Sequence, residues 1–568
     1  MFLSNLIINN YKSFPPQDKI LHFYSRKTII IGKNNSGKSN ILSAIQFLLG
    51  NKDPRYTGIS QSDYFDPTKP LKISAILHFQ DGTEIYKLDI AKKYQAMLYK
   101  EFKTDPSKAF VEVQYSDNIE EETSGEPEGE EETSEKKDYK FKILINGKNQ
   151  LHQKIKEARI GLCRLIGVDT IRDAKNDLSG SRWTVFGQLM KSVIENSGRY
   201  GELKTALNQL NQLVEEVLSA QKGEILHNAQ IITFINDLKF QLTKDNDPSE
   251  LLRNLELYVK DKDKFIHIED TGTGTQSALI IGMLEVALKY KSTNSRIFYI
   301  DEPELFLHPI GIRYLGHLFK EFINDNLSQI IITSHSSILL SSFHPKEIVR
   351  LDKPSDYTEI NQLPYDFEDI DNKLARQLNS GLSSEMFFAD KVLIVEGETE
   401  QIIFTNLSIV SDETNFYKQN IAVVNAQGKE SMIGIIRTLD LLKIKWIAVV
   451  DSDFLDMKKT VSPVCKHLGL NKDEDTEELR KQLFAKGFVV LKRGETENLI
   501  PDGDISVMTG KSLEEVQQLI SLRPKLSETF EKELFGKSKP EIAYNIVDYY
   551  KEKGESPFDK LIRWIAND

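Results

Sequence analysis

Short, unbroken apolar runs alternate along this chain with stretches of helical periodicity. Residues 27–31, 296–300, 330–333, 391–395, 446–450 and 487–491 are each rich in Ile, Val and aromatic side chains. A strand buried on both faces reads this way, so the runs predict parallel sheets covered by helices. Residues 1–10 alternate like a half-buried strand, and residues 40–49 and 278–287 have the spacing of apolar helices. Between about 186 and 262 the pattern turns wholly helical. Leu203, Leu207, Leu210, Val214 and Val217 recur at steps of 4, 3, 4 and 3, and Ile231, Ile235, Leu238 and Leu242 repeat that spacing. Such stripes pack inside a domain or form a dimer arm, and periodicity serves both readings. The order is an α/β unit with a helical insertion, a less regular connector over 351–388, and a second α/β unit to the end.

The 568 residues correspond to three or four domains at roughly 150 residues each. The longest apolar stretch, residues 278–288, is 11 residues long and carries Glu285, too short to span a bilayer. The first 14 residues lack the layout of a signal peptide, and two distant cysteines, Cys163 and Cys465, exclude a disulfide framework or a cysteine-rich zinc site. A cytoplasmic protein without membrane association is expected. The net charge is −12, but residues 117–138 hold 11 acids and 2 lysines, which leaves only −3 for the rest. This acidic stretch (residues 116–138) has no aromatic residue and reads as a disordered surface loop. Overall charge therefore does not exclude nucleic-acid binding.

The run at 27–30 leads into Gly32-Lys-Asn-Asn-Ser-Gly37-Lys38-Ser39 and then into a helix, which fits GxxxxGK[ST] in the required strand–loop–helix context. Gly32, Asn35 and Gly37 curl the backbone so that its N–H groups face phosphates, Lys38 reaches the β/γ-phosphates, and the Ser39 hydroxyl ligates Mg²⁺. The run at 296–300 ends in Asp301-Glu302-Pro303. Asp301 is the candidate magnesium ligand and Glu302 the group that orients or deprotonates the attacking water. His335, after the run at 330–333, is placed to contact a γ-phosphate. Thr273, Gly274 and Gln276 lie in a Gly/Thr-rich turn ahead of an apolar helix. Taken in order, these motifs, with residues 301–309, resemble the signature of ABC/SMC-type ATPases. That resemblance implies that the turn of one head completes the ATP site of another, hence at least a homodimer. Gln61 stands as a provisional Q-loop residue.

In the second unit, acids stand at successive strand ends. Glu396 follows the run at 391–395, with Glu400 one helical turn on. Asp451 and Asp453 follow 446–450, and Glu497 follows 487–491. Parallel strands bring their C-terminal ends to one crevice, where so many carboxylates need divalent metal to offset their repulsion. An all-oxygen set favours Mg²⁺ or Mn²⁺ over zinc. A Glu at the first strand end followed by Asp-x-Asp resembles the Toprim domain. An ABC-type ATPase followed by Toprim resembles the OLD (overcoming lysogenisation defect) family, and the compact single chain resembles the nuclease subunit of Gabija-type phage-defence systems. The resemblance implies metal ligation by Glu396, Glu400, Asp451, Asp453 and Glu497, a glycine turn at Gln427-Gly428-Lys429, and a late lysine that stabilises transition-state charge. That lysine matches Lys539, with Lys537 a close rival.

The expected fold is thus α/β: an ABC/SMC-type ATPase head (1–185 and 263–350) with an inserted helical dimerisation arm (186–262). A connector (351–388) and a Rossmann-like Toprim domain (389–568) follow. The expected function is nucleotide-regulated, two-metal cleavage of DNA in anti-phage defence. Lys429, Lys492, Arg493, Lys537 and Lys539 are candidate contacts to the DNA backbone. A helicase-like partner is implied by resemblance alone. The competing expectation is an SMC-like DNA-binding or recombination ATPase whose Toprim domain does not cut.

Overall fold

The computed structural model describes the chain except residues 51–57, 118–140, 151–158, 169–184, 220–241, 243–246, 252–255, 290–294, 322–327, 368–383 and 522–533. Positions 89, 160, 161, 196, 249, 250, 262, 306, 493 and 568 are also outside the description. The chain divides into two compact units, residues 1–28 with 39–334, and residues 29–38 with 335–568. Most of the acidic stretch and the stripe residues Ile231, Ile235 and Leu238 lie outside the described residues, as does Arg493.

In the first unit, Phe2–Asn9 pairs antiparallel with Lys19–His22 on one side and Lys72–His78 on the other. Phe110–Ser116, Phe141–Ile145 and Asn149–Gln150 extend the sheet. One face of this sheet is buried: Leu6 and Ile8, Ile73, Ala75 and Leu77, and Val111 and Val113 are fully covered. Three further strands, Arg164–Val168, Arg296–Asp301 and Ser328–Ser334, run parallel, and the last two are buried at every position. That burial is what their unbroken apolar runs require. The helix Tyr200–Val217 carries the first stripe, of which Leu207 is buried while Leu203, Leu210 and Val217 face outward.

In the second unit, residues 29–32 of the strand Lys27–Gly32 pair parallel with Ile348–Asp352, which pairs antiparallel with Glu359–Gln362. A separate four-stranded sheet has the order Ile421–Asn425, Lys391–Val395, Lys445–Val450, Phe488–Val490, parallel throughout. Leu393, Val395, Ile447, Val449 and Val489 share a core with Ile403, Phe404 and Leu407 of the helix Glu398–Ser408, and with Ile542, Ile546 and Tyr550 of the helix Lys539–Lys553. The intervening residues Val392, Ile394, Ala448 and Val450 are also buried, and the helix Lys429–Leu441 buries Met432, Ile435, Ile436 and Leu439. The sheet is therefore covered on both faces. The first strand is followed by one on its left-hand neighbour position and the third by one on the opposite side, so the order reverses between Lys391–Val395 and Lys445–Val450. Open α/β sheets place ligands beyond the carboxyl ends of strands at such a reversal.

Candidate active site

The phosphate-loop residues form the expected strand–loop–helix, with the helix spanning Lys38–Leu49. Gly32 is required by packing: a Cβ there would meet the Leu351 carbonyl oxygen at 2.5 Å. Asn35 adopts φ +63°, a left-handed conformation that Asn tolerates well, and Thr358 Oγ1 donates to the Ser36 carbonyl at 2.8 Å. Lys38 is buried, and its Nζ donates to the Gly32 and Lys33 carbonyls at 3.1 Å each. In the first unit, Asp301 is buried at its strand end and accepts a hydrogen bond from Thr333 Oγ1. Glu302 adopts φ +47°, and its N–H donates to the Thr333 hydroxyl and carbonyl oxygens at 3.1 Å. A bulky residue held in the left-handed region costs of order 1 kcal/mol and clusters at functional positions. Gln276 is turned inward, donating to the Ile268 and Thr271 carbonyls at 3.0 and 3.1 Å, while Thr273 and Gly274 open the helix Thr273–Lys289 and are exposed. Gln61 lies exposed in a 3-10 turn.

The acids sit where the four-stranded sheet ends. Val395 pairs with Asn425 and Val449, which sets Glu396 and Asp451 at adjacent strand ends across the order reversal. Backbone bonds fix the loops: Gly428 N–H donates to the Glu396 carbonyl at 3.1 Å, and Ser452 N–H to the Gly494 carbonyl at 2.9 Å. The second bond ties the Asp451 turn to the loop that leads to Glu497. Phe454 is fully buried in that turn, its ring 4.9 Å from Phe488. Gly428 adopts φ +108° and lets the chain reverse directly into the helix that begins at Lys429.

The electrostatics are those of a carboxylate cluster short of positive charge. Burial, then the charges of Glu400, Glu396 and Glu497, push Asp451 up to about 8, against the opposing pull of Lys429. Burial and the charges of Glu400 and Glu495 push Glu497 to about 7, although Lys539 works the other way. Glu396 is raised too, chiefly by burial, then by Glu400 and Asp453. Glu396, Glu400, Asp451 and Glu497 thus oppose one another's charge at this sheet end. Glu400 also has a structural task, because its Oε2 accepts from the Gly397 N–H at 3.0 Å and caps its helix. Asp453 stands more exposed and pairs directly with Lys429 Nζ, which also lies 3.3 Å from Glu396 Oε2. Burial disfavours the Lys429 charge, but the hydrogen bond to Asp453 and the charges of Glu396, Asp453 and Asp451 outweigh it and raise its pKa. A cavity of about 460 Å³ opens here, lined by Glu396, Gln427, Gly428, Lys429 and Asp453 among others.

Among the described residues, no three His, Cys, Asp or Glu side chains already converge tightly enough to enclose an ion. Lys429 bridges Glu396 and Asp453. The donor set nevertheless fits a hard dication: oxygen ligands only, several of them resisting ionisation through burial and the charge of their neighbours.

An AAA ATPase domain model matches residues 1–340, more than half the chain, and an overcoming lysogenization defect protein-like TOPRIM domain model matches residues 387–453. The Old nuclease of Escherichia phage P2 is 24% identical over 500 residues, covering 82% of this chain and 80% of that protein. The OLD nuclease of Thermus scotoductus is 24% identical over 452 residues, covering 75% and 78%. The endonuclease GajA of Bacillus cereus strain VD045 is 23% identical over 494 residues, covering 83% and 78%. The chain belongs to the OLD family of ATPase–Toprim nucleases.

An ATPase head followed by a Toprim domain is thus the architecture of this OLD-family chain, and nucleotide and divalent metal are what domains of these two kinds use. Of the two lysine candidates, Lys539, the first residue of its helix, pulls the pKa of Glu497 down, and Lys537 does the same to Glu541. Sequence reasoning placed Lys429 in a glycine turn and as a cation for DNA, and missed its direct contact with Glu396 and Asp453. The signal was present in its position just after Gly428, since a turn at a neighbouring strand end must present its next side chain to the same crevice. No described helix is long and apolar enough to cross a membrane, and both cysteines are free and buried.

Proposed function

We propose that this OLD-family chain is a divalent-metal-dependent DNA endonuclease whose cutting is governed by nucleotide at the ATPase head, and that it serves in defence against phage. The observation that carries the reading is the cluster of Glu396, Glu400, Asp451 and Glu497 at the reversal of the Toprim sheet, where Asp451 is pushed up to about 8 by burial and its neighbouring acids. The names of the relatives, nuclease and endonuclease, support it. Glu396, Asp451 and Glu497, with Asp453 and Glu400 beside them, would hold Mg²⁺ or Mn²⁺. Metal held there would supply an activated water and stabilisation of the leaving oxygen of a phosphodiester. The chain's own part is to hold those oxygens on a rigid sheet end and to bring Lys539 against the charge that develops near Glu497. Lys492 and Lys537 supply cation for the DNA backbone.

At the head, the resemblance assigns Lys38 and Ser39 to the phosphates and Mg²⁺ of ATP, Asp301 to that Mg²⁺, and Glu302 and His335 to the γ-phosphate. Thr273 and Gly274, exposed at the start of their helix, serve a second head while Gln276 fixes the turn from within, so the working unit is a homodimer. The outward-facing Leu203, Leu210 and Val217 of the helix Tyr200–Val217 support this assembly. A helicase-like partner belongs to the same reading through the Gabija resemblance. Purified protein with Mg²⁺ or Mn²⁺ should nick or linearise plasmid, and Asp451→Ala should abolish this with an unchanged circular-dichroism spectrum. Cleavage that survives the substitution refutes the site. The seating of Lys429 between Glu396 and Asp453 favours one alternative, an SMC-like ATPase with a non-cleaving Toprim domain. That alternative gives ATP turnover dependent on Lys38 and Glu302 with no strand scission at any metal concentration.

A further inference from the structure

The phosphate loop has an outer side as well as an inner one. In the second unit, Lys33, Asn34, Asn35 and Ser36 line a cavity of about 700 Å³ together with residues from the far edge of the Toprim sheet. Lys391, Ile421 and Lys445 are paired with one another as the first residues of three parallel strands, so this edge is the opposite one from the acids. Six cations line the space, Lys33, Arg350, Lys353, Lys391, Lys443 and Lys445, against two acids, Asp352 and Asp390. Four of the cations are engaged. Lys33 pairs with Asp390 at 2.5 Å, Arg350 with Asp352 at 3.2 Å and Lys443 with Glu359 at 2.9 Å, and Lys391 Nζ donates to the Ile565 carbonyl at 2.8 Å. Among the described residues, Lys353 and Lys445 have no acid partner.

An excess of like charge around one concavity favours an anion there. A second observation narrows its chemistry. Gln419 lines the same cavity; its Oε1 is buried and accepts no hydrogen bond, while its Nε2 is committed to the Glu413 carbonyl at 2.7 Å. A buried acceptor of this kind calls for a donor. Pro354, Ile421 and Ala566 add an apolar surface. The ligand that satisfies all three features carries negative charge at one end and hydroxyl or amino donors on a flat, partly apolar body at the other. The volume lies in the range of small-molecule sites.

We propose that this cavity binds a nucleoside phosphate, separately from the inner face of the phosphate loop. Lys33, Lys353 and Lys445 receive the phosphates, and Gln419 Oε1 accepts from the ribose or base. A bound polyphosphate competes with Asp390 for Lys33. Asp390 directly precedes the strand that ends at Glu396, so the site lies on the covalent route from the phosphate loop to the acids.

The test is the stoichiometry of radiolabelled ATP bound to the full chain by equilibrium dialysis, a readout independent of whether the acid site cuts DNA. Wild type is expected to hold two ATP per chain. Lys38→Ala and the double substitution Lys353→Glu with Lys445→Glu should each hold one, and inorganic tripolyphosphate should displace the ATP that Lys38→Ala retains. The double variant alters exposed side chains, so it decides the matter even if Lys38→Ala does not fold. Unchanged stoichiometry in the double variant overturns the proposal. Displacement by a 5′-phosphorylated oligonucleotide but not by tripolyphosphate or unlabelled ADP also overturns it, in favour of a nucleic-acid end.

Discussion

Replacing Asp451 by Asn separates the two consequences of crowding carboxylates at a sheet end. The pKa of Asp451 is raised from 3.8 to about 8 by burial and by Glu400, Glu396 and Glu497. The folded protein thus keeps a proton that the unfolded chain releases, and stability without metal falls as pH rises between those two values. At about 1.4 kcal/mol per unit the full shift corresponds to an upper bound near 6 kcal/mol, and partial solvent access reduces this to roughly 2 kcal/mol. Asn keeps the shape and removes the charge. In chelator, near pH 8.5, the variant should melt about 4–8 °C above wild type, at roughly 2–4 °C per kcal/mol for a unit of this size. Near pH 4.5, where Asp451 is protonated in the folded state, the difference should shrink towards zero. Manganese should reverse the order: at a hundredfold excess over its dissociation constant it stabilises wild type by about 2.7 kcal/mol and the variant far less. The assay is a thermal melt across pH with and without Mn²⁺. A variant less stable than wild type at every pH, or one with an undiminished manganese shift, would refute the reasoning.

Lys429→Ala removes the cation that Glu396 and Asp453 share, so Mn²⁺ should bind several-fold more tightly by calorimetry, while the metal-free protein loses stability at alkaline pH. Phe454→Ala should cost about 3–5 kcal/mol in urea unfolding, because its ring is fully buried under the Asp451 turn. Lys38→Ala and Glu302→Gln should each lower ATP turnover by at least ~100-fold, the second with melting behaviour unchanged and without loss of ATP binding.

The parts of the fold that were legible share one physical cause. Strands buried on both faces must be apolar along most of their length, so Lys391–Val395, Lys445–Val450 and Arg296–Asp301 stand out, and the acid that closes each apolar run marks a strand end. The candidate acids were found in this way. Strand order was not legible, because an apolar run does not say which neighbour it pairs with. Hence the contact of Lys429 with Glu396 and Asp453 was missed: it depends on Ile421–Asn425 lying beside Lys391–Val395. The capping role of Glu400 was hidden for a related reason, since Glu at the third helical position suits both a cap and a ligand. The pairing of Lys33 with Asp390 spans 357 residues and leaves no trace in local pattern. The stripe from Leu203 to Val217 was read as helix, and helix it is, but its mostly outward face follows from what surrounds it rather than from its spacing.

The most direct measurement is anomalous X-ray scattering from crystals soaked in Mn²⁺. Manganese peaks bounded by oxygens of Glu396, Asp451 and Glu497, with the Lys429 ammonium withdrawn from between Glu396 and Asp453, are the expected result. Crystals that take up no manganese at these acids, with Lys429 still bridging them, would contradict the claim that dications neutralise this cluster.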